Sequence, residues 1–473
     1  MNRNKTLALV LACIGCLLLT PGLVQWISSF TERLFGRGLN TAFWEPGVLH
    51  FAAELLLVAG LLFLREVAWF AHWFYTWASV LLLLFFSIVF VCNISPVPFT
   101  DDAKNFLDFA VAYKHAPSFY AVLNLLFNST DTYSLLLPHL AVIVSMLLFG
   151  KVSFVFLLCL GICFMFLLVL LLRQYLVFDL KTLCLLLLFC NCAYYDALFW
   201  SASVWTIVAT SLLVGLVLHF LLKAHPLWTL CAWVLSVSAV LTAPYGLLAC
   251  VLAILLNIYH KRWRLVVLWI VSLVVMTWFY SPAAHATPMG ASVVWWQYLW
   301  FSCVFLGSLL QFGNSLLLPG LFGMVGWMLF GMLLYKGLYK KHVLLTGLIL
   351  YVLACSLLAA VFRIQRGLEL ALSNRYVFFS LLLMACYLLI YLDYLQTHVG
   401  NRLSKLLFAA LLAYHLSAGL FFFPELPIRK AKLARYAERL RANGPFMPMK
   451  PLVTANTHAK VVKAMEEGVW VSE

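Results

Sequence analysis

The chain has 473 residues, of which 65% are hydrophobic and only 10% are charged, and its formal net charge is +14. A soluble domain carries about 25% charged residues, so this composition excludes an ordinary water-soluble fold. Basic residues flank the apolar runs and fill the C-terminal tail, which favours anionic or phosphate-bearing lipid over nucleic acid as the partner. The apolar runs reach the about 20 residues that a membrane-crossing helix requires, without the alternation of a membrane barrel. The composition therefore predicts an all-α, polytopic integral membrane protein.

The first apolar segments in chain order lie at 7–28, 48–64 and 74–93. Arg3 and Lys5 precede the first segment, so the positive-inside rule places the N-terminus in the cytoplasm and the 94–118 loop outside. The start of the chain carries no convincing small-x-small cleavage site, so we interpret it as a retained signal anchor.

Ten further spans complete a predicted set of thirteen. Basic clusters at 261–264 and 336–341 mark cytoplasmic loops. A crossing at 134–149 or at 295–312 would move one of these clusters outside, so both segments are predicted to lie in the outer leaflet without crossing. The ten spans are 152–172, two within the hairpin 182–222, 227–241, 246–260, 265–280, 315–335, 343–361, 376–393 and 404–422.

This topology divides the chain into an N-terminal transmembrane hairpin at 1–73, a transmembrane core at 74–423 and a basic tail at 424–473. Within the tail, the stretch from Ile428 to Leu440 alternates apolar and cationic residues at helical spacing. It predicts an amphipathic helix that lies on the outer surface or folds over a cavity.

Two adjacent acids, Asp101 and Asp102, follow the breakers Pro96 and Pro98 in the 94–118 loop. A carboxylate held at the membrane surface beside apolar walls can serve as a general base. The alternative role is structural, because Thr100 and the two acids make a good cap and first turn for the helix that follows. The two roles can coexist.

Three arginines, Arg363, Arg366 and Arg375, lie in a predicted outer loop, against the positive-inside trend. Guanidinium forks bind phosphate oxygens bidentately, so these residues predict a site for a phosphate-bearing lipid head group. The alternative is that they pair with Glu369 and contact lipid phosphates non-specifically.

A third candidate group is Tyr194, Tyr195, Asp196 and Trp200, at the outer tip of the predicted hairpin. Aromatic residues there are typical interface anchors, but aromatic faces also stack on sugar rings, and an acid at membrane depth is commonly functional. We include the loop residue His115 as a further weak candidate for substrate contact. The turn at 242–246 is explained by its Pro and Gly, and no metal-ligand spacing is apparent.

The order of these features resembles the GT-C superfamily of polytopic glycosyltransferases, which take sugars from polyprenyl-phosphate carriers. The likeness rests on the acidic pair, a membrane-lying stretch ending in LLFGKVS, the hairpin containing YYDALFWSASVW, and SNRY at 373–376 after the outer arginines. It covers most of residues 74–395, although each motif is short. Two spans, 7–28 and 48–64, precede the span 74–93 that leads into the acidic loop, and many members have fewer spans ahead of that loop.

The resemblance implies sugar transfer with inversion, without a cofactor, at the outer face of a bacterial inner membrane with a periplasmic C-terminus. Asp101 or Asp102, with Asp102 slightly preferred, would deprotonate the acceptor, and the three arginines would hold the phosphate of the polyprenyl-phosphate-linked sugar. The expected acceptor is a glycolipid, a cell-envelope glycan or a protein such as a pilin. The sequence offers no metal site, which favours a metal-independent reaction.

Two other functions stay open. An O-antigen polymerase or ligase also uses outer arginines but usually has a large outer loop between late spans, and the late loops here are short. A lipid-linked sugar flippase or transporter typically shows paired repeats and charges at the membrane midplane, and the sequence shows neither pattern.

Overall fold

The computed structural model describes residues 68–98, 101–127, 135–174, 179–279, 294–313, 315–398, 401–442 and 455–471. Within these residues every regular element is a helix and no strand occurs, which confirms the predicted all-α class. The predicted spans at 7–28 and 48–64 lie outside the described residues.

Eight described helices are long and apolar enough to cross a membrane, so the chain is a membrane-embedded helical protein. They are Tyr75–Asn93, Phe154–Arg173, Leu180–Phe199, Ser201–Leu222, Leu317–Tyr335, Val343–Arg366, Asn374–Leu395 and Leu406–Arg441. Four shorter apolar helices are Leu136–Phe149, Pro226–Val240, Pro244–Tyr259 and Trp263–Thr277. The predicted spans at 227–241, 246–260 and 265–280 correspond to three of these shorter helices, below the about 20 residues of a typical crossing. The full count of thirteen spans therefore stays a prediction.

Shorter elements lie beside the long helices. The segment after the acidic pair forms a π-helical turn and two short helices, and the tail forms two helices. These elements are Ala103–Leu107, Asp108–Lys114, Phe119–Phe127, Trp295–Leu306, Glu425–Arg441 and Ala455–Glu466. Short 3₁₀ turns at Ile364–Arg366, Leu368–Leu372 and Asn374–Tyr376 form the arginine-bearing loop.

The described chain divides into two compact units. The first contains the described parts of 1–93, 176–193 and 392–429. In it the helix Leu180–Phe189 packs against Ala68–Asn93 and Asn401–Phe422, and His415 Nδ1 donates a hydrogen bond to the Leu187 carbonyl at 2.9 Å. Lys181 forms an ion pair with Asp393.

The second unit contains the described parts of 94–175, 194–391 and 430–473. In this unit the helix Trp295–Leu306 packs closely on Leu317–Tyr335 through two glycines. A Cβ atom at Gly307 would lie 1.8 Å from the Pro319 carbonyl oxygen, and one at Gly323 would lie 1.8 Å from the Cys303 carbonyl oxygen. Small residues permit such backbone contact between helices in a membrane.

The amphipathic helix predicted in the tail forms at Glu425–Arg441. Its apolar residues Leu433, Tyr436 and Leu440 are buried in the same apolar cluster as Phe106. Phe106 lies in the loop 94–118 that carries the acidic pair, which we call the acidic segment. This apolar face is therefore covered by protein and is not free to lie in lipid. The tail folds back onto the segment that carries the acidic pair.

Candidate functional site

The two adjacent aspartates occupy different environments. Asp101 is exposed, and its side chain has no partner among the described residues. Asp102 is only 2% exposed, and its Oδ1 accepts a hydrogen bond of 2.8 Å from the backbone N–H of Ala202. Ala202 lies in the first turn of the helix Ser201–Leu222, where backbone N–H groups lack partners within their own helix. Asp102 therefore caps a helix about one hundred residues further along the chain.

Asp101 and Asp102 begin a helical turn, as predicted, while the predicted cap residue Thr100 lies outside the described residues. Asp102 makes no side-chain hydrogen bond to the turn that follows it, Ala103–Leu107. A carboxylate at a helix N-terminus is stabilised by the free N–H groups and by the helix dipole. The structural role foreseen for Asp102 is thus real, but it serves the helix that begins at Ser201.

A π-helical segment follows each partner of the Asp102–Ala202 hydrogen bond. Ala103–Leu107 follows Asp102, and Val204–Ala209 begins two residues after Ala202. π-Helical turns are rare and occur frequently at functional sites. The irregular backbone on both sides of this hydrogen bond is therefore typical of a functional site.

His139 supports the turn after the acidic pair. It is buried, its Nε2 donates to the Asn105 carbonyl at 3.1 Å, and its ring stacks on Phe109 with a centroid distance of 3.9 Å. Neither Phe109 nor Asn105 could be linked to His139 from the sequence. The contact fixes the acidic segment from the side of the helix Leu136–Phe149.

Arg375 reaches the same short segment from the other direction. Its guanidinium carbon lies 5.5 Å from the ring centroid of Trp200 and 5.3 Å from that of Tyr376, within the range of a cation–π interaction. The helix Tyr195–Phe199 also packs against the turn Asn374–Tyr376. The acidic pair and the arginine loop thus converge on the three consecutive residues 200–202.

The three predicted arginines carry no compensating acid. Arg363, Arg366 and Arg375 form no ion pair with any described residue, and Glu369 is exposed and unpaired. The alternative pairing with Glu369 is therefore not seen among the described residues, while non-specific contact with lipid phosphates stays open. Arg375 Nε is buried without a hydrogen-bond partner among the described residues, and leaving such a charged donor unmatched is costly. The arrangement suits an anionic ligand.

Two tyrosines accompany the arginines and were assigned no chemistry from the sequence. The Tyr245 hydroxyl interacts electrostatically with both Arg363 and Arg375. Tyr376 is 2% exposed, and its hydroxyl has no hydrogen-bond partner among the described residues. The sequence could have pointed to Tyr245 through its position in a predicted outer turn. The neighbouring Pro and Gly already explained that turn structurally, so no chemistry was assigned to it.

The aromatic group at the hairpin tip divides into two roles. Tyr194 is fully buried and donates a hydrogen bond of 2.9 Å to the Met165 sulfur, so it packs inside the protein. Tyr195, Asp196 and Trp200 are half-buried, and Trp200 is the member that contacts Arg375. In this structure Trp200 is the better placed of the group to meet a ligand.

His115 is engaged by the tail. Its Nε2 lies 2.8 Å from Glu467 Oε2. The pKa of the Glu467 carboxyl is lowered, chiefly by this hydrogen bond and also by the nearby positive charges of Lys114 and Lys463. His115 therefore has a structural partner beyond the loop that it occupies.

No protein-family model matches this chain, and no curated protein or solved structure matches it. Among the described residues, no group of three or more histidine, cysteine, aspartate or glutamate side chains could hold a metal ion. The chemistry of the site is thus a carboxylate, aromatic faces and three guanidinium groups that form no ion pair with a described residue. Such a set can bind a phosphate-bearing ligand and accept a proton beside it.

Proposed function

We propose that the protein is a membrane glycosyltransferase that moves a sugar from a polyprenyl-phosphate donor to an acceptor at the outer face of a bacterial inner membrane. The observation that carries this proposal is the convergence of the acidic pair and the arginine loop on residues 200–202. General base and phosphate ligands are the two groups that the transfer requires, and they belong to segments far apart in sequence.

The contact between Asp102 and Ala202 supports placing the acidic loop and the start of the helix at Ser201 on the same side of the membrane. Asp102 and Ala202 are hydrogen-bonded at helix ends, so the chain between them must cross the membrane an even number of times. Phe154–Arg173 and Leu180–Phe199 are two long apolar helices in that interval. This favours a Leu136–Phe149 helix that does not cross, as the charge pattern predicts.

The same reasoning applies between Trp200 and Arg375, which are in contact. Three long helices and three shorter apolar helices of the described chain lie between these residues, and they make an even number of crossings if all six cross, as the charge pattern predicts. This favours a Trp295–Leu306 helix that stays on one side. Trp295 and Trp296 are exposed on it, as expected for an interfacial helix.

Within the proposal, Asp101 is the better candidate for the general base, which reverses the slight preference for Asp102. The Asp101 carboxylate is exposed and has no partner in the part of the chain that the structure describes, whereas the buried Asp102 accepts a hydrogen bond from the Ala202 amide. A base must come within hydrogen-bond distance of the proton that it accepts. Asp102 then holds the acidic segment against the helix that begins at Ser201.

The reaction would proceed by a single displacement. The acceptor hydroxyl oxygen attacks the anomeric carbon while Asp101 takes the hydroxyl proton. The bond between the anomeric carbon and the phosphate oxygen breaks, and polyprenyl phosphate leaves with the bonding electron pair. Arg363, Arg366 and Arg375 stabilise the negative charge that grows on the leaving phosphate.

The test is transfer of a labelled sugar from polyprenyl-phosphate sugars to envelope acceptors, by purified protein in lipid vesicles. Wild-type protein should transfer the label, and Asp101→Asn should not. Glu369→Gln should match the wild type, because Glu369 is exposed and pairs with no described residue. Full transfer by a folded Asp101→Asn protein would remove the base assignment. Movement of the donor lipid across the vesicle membrane without transfer would replace the transferase with a flippase.

A further inference from the structure

The C-terminal residues 457–471 contact the acidic segment ahead of Asp101. Trp470 is 2% exposed, and its Nε1 donates a hydrogen bond of 3.3 Å to the Pro96 carbonyl. Pro96 precedes the acidic pair by five residues. Trp470 thus fixes the backbone just before the residue proposed as the base.

The same C-terminal residues contact the acidic segment behind Asp101. Lys460 forms an ion pair with Asp108, and Lys114 donates a hydrogen bond to the Glu467 carbonyl. His115 adds its contact with the Glu467 carboxylate. The tail therefore holds the segment on both sides of Asp101.

A backbone hydrogen bond anchors the tail itself. The N–H of Val152 donates to the Val469 carbonyl at 2.8 Å, and Val461 and Ala464 are fully buried in the apolar cluster that includes Phe106. The tail contacts are thus built into the core and are not confined to exposed charges, which contribute little on their own.

The acidic segment needs such support because its own secondary structure is short. It consists of a five-residue π turn, Ala103–Leu107, and a seven-residue helix, Asp108–Lys114. Helices of this length are marginal without tertiary contacts. The position of Asp101 is consequently set by what packs on the segment.

We propose that residues 457–471 are a positioning element for Asp101, with Lys460 and Trp470 as its positioning residues. The effect on catalysis rests on the proposed function. The claim that these residues hold the acidic segment in place rests only on the contacts described above. Neither residue touches the reacting groups. They act by holding the backbone from which the proposed base projects.

The experiment uses the full-length protein in lipid nanodiscs and two readouts. Hydrogen–deuterium exchange of the 101–114 backbone reports the position of the segment, and sugar transfer from a polyprenyl-phosphate sugar reports kcat and the KM for the donor. Lys460→Asp and Asp108→Lys should each raise exchange and lower kcat by about ten-fold or more. The KM for the donor should change little, because the arginines proposed to bind the donor phosphate lie in a different loop, which these substitutions do not touch. Combining both substitutions should restore exchange protection and kcat.

Glu466→Gln is the matched control, because Glu466 is exposed on the same helix and forms no ion pair with a described residue. Trp470→Phe, which keeps most of the packing and removes the hydrogen bond to Pro96, should give a smaller increase in exchange. Unchanged exchange in Lys460→Asp and Asp108→Lys would overturn the proposal, as would raised exchange with an unaltered kcat. If wild-type protein transfers no sugar, the proposed function fails, while exchange still decides whether the tail holds the segment.

Discussion

The acidic segment and the arginine loop both contact residues 200–202, but they differ in whether their charged side chains have partners within the protein. In the acidic segment, Asp102 accepts the Ala202 amide and Asp108 pairs with Lys460. In the arginine loop, Arg363, Arg366 and Arg375 have no ion pair with any described residue. Two acids of the first region thus have partners within the protein, whereas the arginines of the second form no ion pair in the part of the chain that the structure describes.

The contrast separates structural charges from those available to a ligand. A charge that the protein already neutralises gives little to a substrate, because binding would first have to break an existing contact. Asp101 is the exception in the acidic segment, since it is exposed and has no partner among the described residues. The groups left for chemistry are therefore Asp101 and the three arginines.

The largest effect is expected at Asp101. Asp101→Asn should lower sugar transfer by about 100- to 10,000-fold, the usual contribution of a general base. Thermal unfolding should change little, because the side chain has no partner among the described residues to lose. Transfer activity and unfolding temperature are measured together. A loss of activity with a lower unfolding temperature would mean that Asp101 stabilises the fold and is not the base.

Arg375 should give the next largest effect. Arg375→Met removes charge-assisted hydrogen bonds to phosphate, each contributing about 1.5–3 kcal/mol, so donor affinity should fall by about 10- to 150-fold. Arg375→Lys should recover only part of it, because lysine lacks the planar fork. Binding of polyprenyl phosphate to each variant measures the effect, with Arg264→Met as the control in a predicted cytoplasmic cluster. Equal binding by Arg375→Met and wild type would contradict the assignment.

Asp102 should behave in the opposite way to Asp101. Asp102→Ala leaves the buried Ala202 N–H without its acceptor, which should destabilise the protein by about 1–3 kcal/mol. Asp102→Asn should lose less, because an amide oxygen can still accept that hydrogen bond. Thermal or denaturant unfolding in detergent measures this, and Asp101→Ala is the matched control. Unchanged stability in Asp102→Ala would mean that the cap is unimportant.

The smallest expected effect is the pH response of the tail. The lowered pKa of Glu467 means that its contact with His115 adds stability above the ordinary glutamate value of about 4.5. That stability is lost as the pH falls through the lowered pKa. Exchange of residues 457–471, corrected for the intrinsic rate, should rise in this range for wild type. Glu467→Gln should show no such step, and a step of equal size would exclude Glu467 as its source.

Much of the fold could be predicted because its signals are local. Long apolar runs define helices such as Phe154–Arg173, and unusual residues in predicted outer loops single out the acidic pair and Arg375. The contacts that complete the site join distant parts of the chain. Asp102 and Ala202 are separated by 100 positions, and His115 and Glu467 by 352. No local pattern encodes such contacts, since they arise from packing around a shared core.

The amphipathic tail shows the same limit. The alternation of apolar and cationic residues predicts the helix correctly, but it does not say what covers the apolar face. Lipid and protein are both apolar partners, and hydrophobic periodicity is the same for each. Burial of Leu433 and Leu440 in the core cluster resolves this in favour of protein.

The central claim is that the acidic segment and the arginine loop lie on the outer face of the membrane. Single cysteines at Ser118 and Arg366, both exposed, can be labelled with a membrane-impermeant thiol reagent in intact cells, in a protein whose native cysteines are replaced by serine. Both should react without permeabilisation, whereas a cysteine at Arg264 should react only after it. Labelling of the first two positions on opposite sides, or of both only after permeabilisation, would contradict the account.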